Sequence, residues 1–76
     1  MKDTLQTIIE SLVEDKSEIT INQVEGERSI VFEVKVADKD MGRIIGKEGR
    51  IARAIRTIFK AAYAKEHKKV TIEFID

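Results

Sequence analysis

The sequence contains no cysteine, no proline and no tryptophan, a single histidine, and only 5% aromatic residues. Without cysteine there is no disulfide framework, and thiolate is removed from any nucleophilic or zinc chemistry. A reducing cytoplasm is the setting expected for such a chain. The one histidine, His67, stands among Lys65, Lys68 and Lys69, where a solvated imidazole or one paired with a helix dipole is expected. No serine lies beside an evident base, so no nucleophile–base pair can be built. A lone histidine with scattered carboxylates does not make a transition-metal site. No enzymatic activity, metal or cofactor is therefore expected. Long apolar runs are missing as well: none near the start has signal-peptide length, and none approaches a membrane span of about 18 residues. The expectation is a soluble, cytoplasmic chain without a membrane partner.

What is present is a chain of 76 residues, 42% hydrophobic and 37% charged, which suits one globular domain with a modest core. The formal net charge of zero conceals a split. Residues 1–38 carry 4 Lys/Arg against 9 Asp/Glu, and residues 39–76 carry 10 against 5. A neutral total argues against a nucleic-acid partner; the basic second half weakens that objection. An unevenly charged solvated surface would give the same numbers.

Patterning gives six elements. In "DTLQTIIESLVED", Leu5, Ile8, Ile9, Leu12 and Val13 follow the spacing of an amphipathic helix. Asp3 or Thr4 is the expected cap, with Gln6 placed for a capping box. "EITINQV" and "SIVFEVKV" alternate as strands, with Gly26 in the turn between them. In "ADKDMGRIIG", Asp38 is expected to cap a short helix containing Met41, Ile44 and Ile45, which Gly46 closes in left-handed conformation. Asp38 and Asp40 read as a cap and a first-turn acid, not as a carboxylate pair. A longer helix from about Arg50 to Lys65 is expected to bury Ile51, Ile55, Ile58 and Ala62, and "KVTIEFI" is the last strand. A helical crossover after a hairpin sets the third strand parallel to the second. The fold class is α+β: a two-layer sandwich of order αββααβ, with helices on one face of a three-stranded mixed sheet.

Two glycines, Gly46 and Gly49, interrupt the most helix-prone region, where each costs roughly 1 kcal/mol relative to alanine. The spacing fits neither a P-loop nor the dinucleotide-binding G-x-G-x-x-G. Glycines at both ends of Gly46-Lys47-Glu48-Gly49 allow a tight turn and close approach of a ligand to the backbone. Amides opening the next helix favour an anion, and Lys47 adds positive charge. Arg50, Arg53, Arg56 and Lys60 then fall in one sector of about 120° of that helix. Four cations without i+4 acidic partners repel one another unless an anion binds. A solvated basic face is the competing reading of the stripe alone.

"IIGKEGRIARAI" resembles the G-x-x-G core of the KH domain, and the element order resembles the type II, prokaryotic form. The resemblance covers essentially the whole chain, residues 1–76, as a single KH domain. It is closest to the small bacterial single-KH RNA-binding proteins of the KhpA type. It implies single-stranded RNA held in a narrow cleft between the short helix, the long helix and the sheet edge, with the backbone of about four nucleotides clamped by the G-x-x-G loop. By that resemblance Gly46, Lys47, Glu48, Gly49 and Arg50 form the loop site. Arg43 and Arg53 meet phosphates, and Ile45 and Met41 make the apolar floor; Lys68 and Lys69 border the far end. Glu48 puts a carboxylate beside the phosphate path, pointing to solvent. Ala52 stands where many KH domains carry a branched aliphatic, leaving the packing to Ile51 and Ile55. Phe32 and Phe74 lie on the core face, so no aromatic stacking platform is available. The implied role is that of a post-transcriptional regulator or RNA chaperone. A protein-interaction or dimerisation module on the same fold is the alternative. Because four nucleotides give little affinity, the expected partners besides RNA are a second copy, as a homodimer, and a larger Jag-type KH protein. Phe59 and Tyr63 are candidates for that surface or for the core edge.

Overall fold

The computed structural model describes residues 2–75, apart from the side chains of Lys47 and Glu48, and expectations resting on those two side chains lie outside the described residues. Five main elements follow the chain: α1 (Lys2–Leu12), β1 (Thr20–Glu25), β2 (Ser29–Lys35), α2 (Asp38–Tyr63) and β3 (Lys69–Ile75). Short 3-10 turns occupy Lys16–Glu18 and Ala64–Glu66. The sheet order is β1-β2-β3, with β1 antiparallel and β3 parallel to the central strand. The mixed sheet and its parallel third strand are those expected from a hairpin followed by a helical crossover. The hairpin turn is fastened where Gly26 N–H donates to the Ser29 carbonyl at 2.8 Å, and Lys68 pairs with Glu25 beside it.

Alternation places Ile30, Phe32 and Val34 on one face of β2 and Val70 and Ile72 on the same face of β3, all buried. Leu5 and Ile9 come down on this face from α1, and Ala52, Ile55, Phe59 and Tyr63 from α2. Phe32 is the centre: its ring meets Phe59 edge-on at 5.8 Å and 73°, and Tyr63 at 6.4 Å, the geometry the ring quadrupoles favour.

The element pattern holds, and several local expectations change. Asp3 lies inside α1, and Gln6 donates to Glu10 at 3.3 Å instead of reaching back to a cap. The cap of α2 is Ala37, so Asp38 is its first residue. The two helices expected around the glycine pair join in one helical segment, and the left-handed residue is Gly49, at φ 71, not Gly46. A residue at that φ cannot continue a right-handed helix, so α2 consists of two stretches, 38–48 and 50–63, meeting at Gly49. The second stretch is rotated relative to its expected face. Its buried side is Ala52, Ile55, Phe59 and Tyr63, while Ile58 is 53% exposed and Ala62 is exposed. The aromatic contacts with Phe32 select that rotation. They place Phe59 and Tyr63 in the core, and Ala52 is buried in its own right. The helix ends at Tyr63, and His67 turns the chain into β3 with φ 55.

Candidate nucleic-acid interface

The first stretch of α2 repeats Asp38, Met41, Gly42, Ile45 and Gly46 at helical spacing, so all five share one side. They line an open groove of about 580 Å³. Met41 is buried and forms its floor; Ile45, 48% exposed, forms its rim. The glycines explain why the groove is open. A methyl group added at Gly42 or Gly46 would meet nothing within 4 Å, and neither glycine has left-handed φ. Neither packing nor backbone conformation in the fold requires glycine at these two positions. Gly49 differs, because its φ of 71 requires the residue. Gly42 was missed in the sequence, where one glycine in a helical pattern reads as mere tolerance. The usable signal was its i+4 spacing to Gly46, matching that of Met41 and Ile45.

The predicted cations separate into groups. Arg50 and Arg53 are exposed on the turn after Gly49. Arg56 instead reaches the sheet: its Nε donates to the Ile72 carbonyl at 3.1 Å, and its guanidinium lies 5.6 Å from the centre of the Phe74 ring. With Lys60 and Lys69 it lines a second, smaller cavity of about 220 Å³ against Val70, Thr71 and Ile72. This is the α2–β3 edge that the resemblance named as one wall of the cleft. Lys68 is turned to Glu25, whose carboxyl it holds below the usual range through its hydrogen bond and charge.

Arg43 is brought to neither cavity. Its Nη2 donates to Glu14 Oε1 at 3.0 Å, and Nη1 reaches the Leu12 carbonyl at 3.4 Å. Beside it, Asp40 is the one buried charged residue among the described ones. Its two carboxylate oxygens accept from the backbone N–H of Glu14 at 3.0 Å and of Asp15 at 3.1 Å. The Glu14 hydrogen bond, supported by that of Asp15 and by the charges of Lys39 and Arg43, holds the carboxyl below its ordinary range against desolvation. Among the described residues no group of three His, Cys, Asp or Glu side chains is arranged to hold a metal ion. No helix among them is long and apolar enough to cross a membrane.

A hairpin whose central strand is joined through the two stretches of α2, meeting at the second glycine of a G-x-x-G motif, to a parallel third strand defines a type II KH domain. The chain belongs to the KhpA/KhpB KH-domain family, whose model matches residues 2–74. It is 55% identical over 75 residues to the RNA-binding protein KhpA of Clostridium acetobutylicum, covering 99% of this chain and 100% of that one. Identity is 52% to the RNA-binding protein KhpA of Clostridium perfringens, over the same shares of both chains. To the protein of that name from Caldanaerobacter subterraneus it is 48%, again over 99% and 100%. No solved structure matches significantly.

Proposed function

We propose that this chain, as one KH domain, binds single-stranded RNA in the bacterial cytoplasm, serving as a post-transcriptional regulator or RNA chaperone. The observation that carries the proposal is the groove of Met41, Gly42, Ile45 and Gly46, left open by glycines the fold does not need. It leads into the Gly46-Lys47-Glu48-Gly49 segment and on to the exposed Arg50 and Arg53. That its relatives are named RNA-binding proteins supports the same reading. The backbone of about four nucleotides follows that segment, where Gly46 and Gly49 admit close approach. Lys47, Arg50 and Arg53 meet phosphates, and Met41 and Ile45 support the apolar part of the ligand.

The test is a titration of labelled single-stranded RNA at two salt concentrations. Neutralising about three phosphates gives a slope of roughly −2 for log K against log[salt]. Replacing both Lys47 and Glu48 by Asp should abolish binding while leaving the circular dichroism native. Unaltered affinity in that variant would reject the loop mechanism.

A reading as an interaction module is favoured by one observation, the exposure of Ile58 and Val24. It adds to RNA binding by supplying the second binding site that a four-nucleotide contact lacks, through a homodimer or through pairing with a larger Jag-type KH protein. Concentration-dependent sedimentation without RNA tests the homodimer, and a single monomer mass at all concentrations would reject it.

A further inference from the structure

Arg43 and Asp40 lie on the same helical stretch as the groove, yet their side chains serve the far end of α1. Arg43 is two residues from Met41 and two from Ile45, so at about 100° per residue it points away from those two side chains. There the Glu14 carboxylate is held from both sides, by Arg43 at 3.0 Å and by Lys39 at 3.7 Å. The Glu14 amide and the next one are taken by the buried Asp40. Arg43 also reaches the carbonyl of Leu12, the last residue of α1, where a cation suits the negative end of that helix. Three residues spanning just over one turn of α2 thus grip residues 12, 14 and 15.

We infer that Asp40, Arg43 and Glu14 form a clasp that fixes the groove-bearing stretch of α2 against α1, and that Arg43 serves RNA binding as a positioning residue and not as a phosphate contact. The inference rests on the RNA reading above and assigns Arg43 a role different from the one the family resemblance implied. The guanidinium is turned toward Glu14 and the end of α1, away from the Met41 and Ile45 side of the groove. Meeting a phosphate there would require Arg43 to leave two acceptors.

The two roles predict opposite signs for the removal of Glu14. If Arg43 contacts phosphate, Glu14 competes for it, and Glu14→Gln tightens RNA binding. If Arg43 positions the helix, the same change loosens the clasp and weakens binding. The experiment titrates a fluorescein-labelled, mixed-sequence 12-nucleotide RNA against wild type, Glu14→Gln, Arg43→Gln and the double variant. Glu10→Gln serves as the control for loss of one acidic charge from α1. Arg43 and Glu14 are both more than half exposed, so the variants should fold, which circular dichroism checks. Relative to the control, Glu14→Gln should weaken binding by about twofold to fivefold, the scale of an exposed ion pair. Arg43→Gln should do the same, and the double variant should lose no more than either single one. The salt slope should be unchanged throughout. A slope reduced by about 0.7 in Arg43→Gln, or tighter binding in Glu14→Gln than in the control, overturns the inference. Amide chemical shifts of Gly46, Gly49 and Arg50 in the RNA-free protein give an independent readout. Both single variants should displace them, and unmoved shifts overturn the clasp. If wild type binds no RNA, the functional reading falls, and these shifts alone still decide whether the clasp positions that segment.

Discussion

At the scale of single residues, the three glycines of α2 separate by the sign of their alanine substitutions. Gly42 and Gly46 have helical backbone and open space around them, so Gly42→Ala and Gly46→Ala should stabilise the free protein by about 1 kcal/mol each. For a domain of this size that raises the thermal midpoint by roughly 4–8 °C, while on the proposed reading RNA affinity should fall as a methyl group enters the groove. Gly49→Ala should instead destabilise by about 1–2 kcal/mol, since its φ is left-handed. Calorimetry with RNA titration on the three variants checks the contrast. The sequence marks Gly46 and Gly49 as a pair but does not reveal that only one has a backbone reason to be glycine, because conformation is not encoded by identity when both are permissive. Asp40 shows a second limit. Its partners lie 25 and 26 residues away, so locally it reads only as a first-turn acid. Because its folded pKa is lowered, its contribution to stability is full above the ordinary carboxyl range and is lost as pH falls through the lowered value. Asp40→Asn should therefore be less stable than wild type in urea at neutral pH, with the gap shrinking in strongly acidic solution.

At the scale of elements, periodicity was sufficient to find α1, the two stretches of α2 and all three strands, but not the rotation of the second half of α2. Apolar residues there, from Ala61 round to Tyr63, cover about 200° of the helix, so several buried faces fit the pattern. The choice is made by Phe32, a central-strand side chain that meets Phe59 and Tyr63 and that no local window contains. Phe59→Ala should therefore cost about 3–5 kcal/mol in equilibrium unfolding, whereas Ile58→Ala one residue earlier should stay within about 0.5 kcal/mol. Equal losses would mean the helix is rotated toward Ile58. The Arg56 contacts were hidden for a similar reason. Its place in a basic stripe was legible, but its hydrogen bond to Ile72 depends on β3 being the edge strand beside α2.

At the scale of the whole molecule, the charge split that a neutral total conceals has a spatial counterpart. The acidic half includes α1 and the hairpin, and the basic half includes α2, with the clasp joining the two where Glu14 meets Lys39 and Arg43. The division was legible from counts of charge; the contact that joins the two halves was not.

The parallel pairing of β2 with β3 also sets an order of events in time. Residues paired between β1 and β2 are 5 to 15 positions apart, whereas those paired between β2 and β3 are 40 apart. Closing the longer loop costs about 1 kcal/mol more in chain entropy, and it follows synthesis and docking of the intervening helix. On a chain leaving the ribosome, or refolding after dilution from denaturant, the hairpin amides should gain protection from exchange first. Those joining β3 to the sheet should follow, so the cavity wall that carries Val70, Thr71 and Ile72 is the last part of the proposed interface to form.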